Sequence, residues 1–172
     1  MTSLHPPRRA DARFMRAHPA HWIALGFGSG LAPKAPGTVG TLWAWLCWWA
    51  LSLWLSESFL LALCLVSLPV GWWACERTAR HLGQNDPGAI VIDEVVAFWA
   101  ILWLLGDASW PWQWAGFILF RAFDALKPGP VGWADRAFKG GGWRGAFGIL
   151  FDDLVAALLT LIVLALAMRI WP

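Results

Sequence analysis

Acidic residues stand where an apolar chain tolerates them least. Gly148-Ile149-Leu150-Phe151-Asp152-Asp153-Leu154-Val155-Ala156-Ala157 carries two adjacent carboxylates directly into an apolar run that continues to Met168. Asp93-Glu94 heads a second apolar segment, and Arg121, Asp124 and Lys127 lie near the tail of a third. Ionised groups in or beside hydrocarbon lose hydration that only a partner, a metal or a water-filled cavity replaces, so such acids are candidates for a functional site. Hard oxygen ligands with no His or Cys beside them select Mg²⁺ or Mn²⁺ over zinc. Asp93, Glu94, Asp124, Asp152 and Asp153 are therefore the candidate metal ligands. With Arg121, Lys127 and Lys34 as cations they predict a site for a phosphorylated substrate, and its place at a membrane surface points to a lipid phosphate. The signatures of covalent phosphatases are absent, so the simplest nucleophile is water held by metal and carboxylate.

These groups need elements to position them, and composition says which kind. Of 172 residues, 59% are hydrophobic and only 14% charged, more apolar material than one soluble core requires. A membrane protein is expected. Sixteen Trp and no Tyr fit that class, although Trp45, Trp48 and Trp49 are mid-segment and read as volume fillers. The net charge of +2 is too small to imply nucleic acid. Cys47, Cys64 and Cys75 lie in apolar segments without C-x-x-C spacing, which indicates neither a disulfide framework nor a zinc site.

Residues 1 to 21, with Arg8, Arg9, Arg13 and Arg16, read as a basic cytoplasmic arm and lack a secretory signal pattern. Residues 22 to 172 read as a single membrane-embedded domain. Gly26 to Gly40 is dense in Gly and Pro and predicts a structured loop exposing backbone N–H groups; Lys34 amid those groups suits an anion. Val39 to Ser56 and Phe59 to Cys75 are apolar runs of 18 and 17 residues, which predict a helical hairpin of two spans. Glu76 to Ala89 reads as a polar loop. Val91 to Leu105 and Trp112 to Leu126 are each 15 residues, and Gly148 to Met168 is 21. Between the last two lies a mixed stretch, Val131 to Gly145. The expected fold is all-α, a polytopic membrane bundle of about five apolar helical segments joined by short loops.

Topology decides which groups can meet. Lys and Arg number five in the first 38 residues, two in 76 to 90 and four in 127 to 147, while the turns 56 to 58 and 106 to 111 have none. The positive-inside rule then puts the arm and the charged loops in the cytoplasm. All five carboxylates fall on that same face, though the count did not use them. Adjacent acids such as Asp152 and Asp153 point about 100° apart on a helix and so address different partners. Arg121, Asp124 and Lys127 share a face at i, i+3 spacing. Ala97, Ala100, Ala156 and Ala157 allow the acidic helices to approach closely.

Each acidic pair taken alone reads as a helix cap or dipole partner. Capping does not explain Asp124, which sits at the wrong helix end, and three acidic sites on one face of a nearly uncharged core favour a shared function. Two other readings remain open from the residues: a metal-dependent alcohol phosphotransferase, whose Asp-x-x-Asp-Gly spacing is missing here, and a cation or proton transporter, whose acids would lie near the midplane.

The strings G-F-G-S-G-L-A-P-K-A-P-G-T-V-G-T-L (26 to 42), V-I-D-E-V-V (91 to 96), F-R-A-F-D-A-L-K-P-G-P (120 to 130) and F-G-I-L-F-D-D-L-V-A-A (147 to 157) resemble the phosphatidylglycerophosphatase A family, in the family's order and over nearly the whole chain from Trp22. The resemblance implies a multi-pass bacterial inner-membrane enzyme with its site facing the cytoplasm. Its Mg²⁺-dependent reaction would remove the terminal phosphate of phosphatidylglycerophosphate. It also implies polar site positions at Asp93, Glu94, Arg121, Asp124, Lys127, Asp152 and Asp153, with Lys34, Pro36, Gly37 and Thr38 in the loop. Two departures stand out: Ala97 replaces a usual Gly, and the glycine loop at 140 to 146, with Arg144, is longer than usual.

Overall fold

Proline and glycine set the helix boundaries. The computed structural model describes residues 9–171, so the first eight residues of the basic arm, Arg8 included, lie outside it. All regular structure among the described residues is helical: α1 Ala12–Arg16, α2 Pro19–Ala24, a 3-10 segment Gly26–Leu31, α3 Pro36–Ser52, α4 Glu57–Leu82, α5 Ile92–Leu105, α6 Trp110–Leu126, α7 Gly129–Ala137 and α8 Gly142–Ile170. Proline in the first turn opens α2, α3, α6 and α7, where its missing N–H costs nothing and its fixed φ suits the helix. Gly83, at φ 69°, closes α4 by donating to the carbonyls of Ala79 and Arg80.

Two expectations about elements are corrected. The polar stretch after Cys75 is not a loop until Gly83, because α4 runs on to Leu82. Ala74, Cys75, Thr78, Ala79 and Leu82 continue its buried stripe, and Arg80 pairs with Glu76 one turn away at 3.3 Å. The mixed stretch 131 to 145 is mostly helical, divided between α7 and the first turn of α8. The arm is also partly folded. His21 and Ala20 of α2 are buried and α2 packs on α4.

The five apolar segments are all helices, but α3 and α4 form no packed hairpin. They scarcely touch, since α3 lies against α5 while α4 lies against α8, α2 and α5. Gly40 decides the approach of α3: a Cβ there would stand 2.7 Å from the Val91 Cβ, so only glycine lets α3 settle at the head of α5. The centre is α5 against α8, where Ala97, Phe98 and Ile101 meet a stripe of Ala156, Ala157, Thr160 and Leu164, all buried. Indole donors tie the outer layer to it: Trp99 Nε1 donates to the Ala44 carbonyl at 2.9 Å and Trp45 Nε1 to Gln113 Oε1 at 2.8 Å. By length and composition, two helices among the described residues can cross a membrane, α4 at 26 residues and α8 at 29.

The amino-terminal helices are pinned by a histidine pair. A carbonyl only accepts, so His21 Nδ1 donates to the Phe14 oxygen at 2.8 Å and its Nε2 accepts from His81 Nδ1, also at 2.8 Å. His18 stands near both rings, and Arg77 and Arg80 lie close in α4. Burial lowers the pKa of His21 despite its hydrogen bond to Phe14. A lowered folded value means that its contribution is complete above the unfolded value of about 6.5 and is lost as pH falls through the folded one. The docking of α1 and α2 should accordingly loosen below about pH 6.5, read as lower amide-exchange protection factors in residues 12 to 24. Protection factors that stay flat from pH 7.5 to 5 would count against this pinning.

Candidate active site

Three helix termini and one mid-helix turn meet at one end of the bundle. Asp93 and Glu94 stand in the first turn of α5, Arg121 and Asp124 in the last turns of α6, and Lys127 caps α6. Asp152 and Asp153 come from the third turn of α8, and the amino-terminal turn of α3 closes over them through Gly37. The expected convergence of acids far apart in sequence is therefore present.

Asp153 is the hinge of the arrangement. One carboxylate oxygen each from Asp93, Glu94 and Asp153 lies within 4.8 Å of the others, and the same holds for Asp124, Asp152 and Asp153. The two triads share Asp153, which is only 3% exposed. Glu94 and Asp152 are buried too. As the ~100° offset requires, the two α8 acids divide their partners: Asp152 Oδ2 accepts from Lys127 Nζ at 2.6 Å, while Asp153 faces Asp93, Glu94 and Asp124.

The cations are positioned by these acids. Arg121 Nη1 lies 3.5 Å from Glu94 Oε1 and 2.9 Å from Asp124 Oδ2. Neither approach follows its N–H direction, so these are ion pairs without an aligned hydrogen bond. Its Nε is buried and has no acceptor among the described residues. Lys127 holds a left-handed backbone, φ 45°, a conformation that costs a non-glycine residue about 1 kcal/mol or more. It turns its ammonium between Asp152 and Asp135. Burial opposes the charge on Lys127, but the hydrogen bonds to Asp135 and Asp152 outweigh it and raise its pKa. Burial likewise works against the Asp135 carboxylate, and Lys127 and Lys139 outweigh it, lowering its pKa. Both groups are held charged.

Asp135 is the partner that sequence reading missed. It sits on α7, takes Lys127 on Oδ1 and Lys139 on Oδ2 at 2.9 Å, and lines with Asp152 and Lys139 a cavity of about 180 Å³. Its i, i+4 spacing to Lys139, two residues past the nine-residue helix opened by Gly129-Pro130, was the available signal. Of the loop residues, Gly37 is placed directly on the site. A Cβ there would collide with Glu94 Oε1 and lie 2.9 Å from Arg121 Nη2. Thr38 follows, half-buried, in the same turn. Lys34 is exposed and makes no ion pair among the described residues. Arg144 reaches back to the Ala137 carbonyl at 3.0 Å, away from the acids.

The donor set fits a hard divalent ion. Asp93 Oδ1, Glu94 Oε2 and Asp153 Oδ2 are buried with no hydrogen-bond partner among the described residues. Orphaned anionic oxygens are costly unless something positive satisfies them. Their chemistry is all oxygen, as Mg²⁺ requires. His18, His21 and His81 are gathered elsewhere, on α2 and α4.

Comparison with known proteins matches the family model for phosphatidylglycerophosphatase A to residues 22–168. The chain belongs to the phosphatidylglycerophosphatase A family. The phosphatidylglycerophosphatase A of Escherichia coli (strain K12) is 37% identical over 169 residues, covering 96% of this chain and 95% of that protein. The protein of the same name from Haemophilus influenzae (strain ATCC 51907 / DSM 11121 / KW20 / Rd) is 37% identical over 154 residues, 90% of this chain and 91% of its own. A putative phosphatidylinositol-3-phosphatase of Bacteroides thetaiotaomicron is 38% identical over 152 residues, 84% and 91% respectively. No solved structure matches. The family match spans every acid of the site, and all four motifs that carried the resemblance fall inside it.

Gly37→Ala should displace the Glu94 carboxylate and with it Arg121. Phosphate release from a phosphatidylglycerophosphate substrate should fall about tenfold or more while the helical circular dichroism is kept, a 1.4 kcal/mol change in the barrier being tenfold. Full activity in that variant would show that the α3 turn does not bear on the reaction.

Proposed function

We infer that this chain is a lipid phosphatase that hydrolyses the terminal phosphomonoester of phosphatidylglycerophosphate, releasing phosphate and phosphatidylglycerol for phospholipid synthesis. Its family membership supports that reaction. The observation that carries the mechanism is the pair of carboxylate triads sharing Asp153 beside the buried Arg121 guanidinium. Asp93, Glu94 and Asp153 would hold one Mg²⁺, and Asp124, Asp152 and Asp153 would offer a second position. Bound there, Mg²⁺ supplies Lewis-acid polarisation of the phosphoryl oxygens and lowers the pKa of water.

The residues of the chain do the rest. Arg121 presents Nε to a phosphate oxygen while its Nη1 stays anchored by Glu94 and Asp124, so the donor is already fixed when charge develops on the phosphoryl group. Lys127, held charged between Asp135 and Asp152, neutralises a second oxygen. Asp124, at the open end of one triad and half-buried, is placed to take the proton from an attacking water. Burial by α5 and α8 excludes bulk solvent and strengthens each of these interactions.

The membrane reading follows from α4 and α8, the two helices long enough to cross, and extends to α3, α5 and α6 at 14 to 17 residues, which reach most of the way across a thin hydrocarbon layer. The distribution of Lys and Arg supports an inner-membrane protein with the acidic end facing the cytoplasm. The acids gather at one end of the bundle, which disfavours the transporter reading.

Purified protein should release phosphate from phosphatidylglycerophosphate in Mg²⁺ and stop on chelation, recovering when Mg²⁺ is restored. Undiminished turnover with excess chelator would remove the metal from the mechanism. Asp153→Asn should insert and purify normally yet lose about 10²- to 10³-fold in kcat, the scale of removing one preorganised electrostatic group. Wild-type turnover by that variant would take Asp153 out of the site.

A further inference from the structure

Two apolar troughs run down α3 from the acidic end, one on each side of Trp43. The first, about 380 Å³, lies between α3 and α5 and is lined by Trp43, Cys47, Ala50, Ile92, Val95 and Trp99. These recur at i, i+4, i+7 on α3 and i, i+3, i+7 on α5, so each helix contributes one continuous stripe. Trp99 is fixed as its wall by the hydrogen bond to Ala44. The second, about 350 Å³, lies on the other face of Trp43 and is lined by Val39, Leu42 and Leu46. Both begin at Gly26 and Phe27.

Their shared end is the active site's doorstep. Ile92, at the head of the first trough, immediately precedes Asp93, and Val39, at the head of the second, is two residues from Gly37 on the Glu94–Arg121 pair. Phe27 stands at the junction, 63% exposed and at φ 55°. Such a backbone is uncommon for an aromatic residue and costs of order 1 kcal/mol, which marks a position held for a purpose. No charged side chain among the described residues lines either trough.

We propose that the two troughs flanking Trp43 seat the two acyl chains of a diacyl phospholipid, with Phe27 between them at the glycerol level and the phosphorylated head group passing over the α3 turn to the carboxylates. This rests on the lipid phosphatase reading. Two chains require two apolar paths that meet at one polar end, and this is the arrangement α3 presents. It assigns chain-length selection to the far end of the first trough, at Ala50, about 10 Å along α3 from Trp43 at 1.5 Å per residue.

Wild-type protein and Ala50→Trp, in the same detergent micelles, are compared on dipalmitoyl and dihexanoyl phosphatidylglycerophosphate by phosphate release. A hexanoyl chain ends before Ala50 and a palmitoyl chain passes it. The ratio of the two KM values should shift about tenfold against the long substrate, the effect of about two methylene groups losing their burial, with kcat little affected. An equal change for both substrates, or none, would overturn the proposal.

A second measurement needs neither the variant nor turnover. Cys47 lines the first trough and is half-exposed, while Cys64 and Cys75 are buried. Dipalmitoyl phosphatidylglycerol should slow its alkylation by N-ethylmaleimide in the wild-type protein, and glycerol 3-phosphate should not; equal rates with both would refute the seating. Wild-type protein that releases phosphate from neither substrate would defeat the phosphatase reading instead, and Cys47 protection would still decide the trough.

Discussion

Repulsion among buried carboxylates is the constraint that the bundle is built around. Asp93, Glu94, Asp124, Asp152 and Asp153 are drawn together from three different stretches of chain, and like charges at such range in a low-dielectric setting are strongly unfavourable. Arg121 and Lys127 offset part of the charge, and Asp135 takes up part of what Lys127 offers. Six carboxylates thus face Arg121, Lys127 and Lys139, which leaves an excess of negative charge that one or two divalent ions would balance. The protein holds the arrangement through packing elsewhere. Ala97, Ala156 and Ala157 let α5 and α8 press together, and the apolar burial below the site bears the electrostatic cost above it.

The same constraint explains the irregular backbone at the cytoplasm-proposed end. Lys127 in a left-handed conformation sends its ammonium back to α7 and α8 instead of onward along α6, and Ala35, at φ 46°, turns the chain so that Pro36 and Gly37 begin α3 against Glu94. Both are non-glycine residues in strained conformations beside the acids. Strain of this kind persists where surrounding contacts over-determine it, and at Lys127 those contacts are its ion pairs to Asp135 and Asp152.

Much of the site was legible because charge inside an apolar run has few uses. Asp93-Glu94 and Asp152-Asp153 stood out by cost alone, and the Arg121–Asp124 pair followed from helical spacing. The long-range pairings were not legible: Arg121 with Glu94, and Lys127 with both Asp152 and Asp135, depend on how α6 and α7 cross α5 and α8. The hairpin expected of α3 and α4 failed for a related reason. A short turn limits the distance between two helix ends but does not make the helices pack, and the glycine at residue 40 gives α3 a closer partner in α5 than α4 can be. The stretch after Cys75 was misread because its charges hid a buried stripe that continues the helix.

The sequence by itself determined the chemistry available to this protein: oxygen ligands without His or Cys, two cations near them, and apolar helices to carry both. Those follow from residue type and short-range periodicity, which the chain carries locally. Tertiary structure alone decided that Asp153 belongs to both triads, that Asp135 governs Lys127, and that a glycine in α3 closes the site, because each depends on the distance between helices distant in sequence. Side-chain identity sets what an interaction can be, and the packing of small residues between α5, α8 and α3 sets which interactions exist.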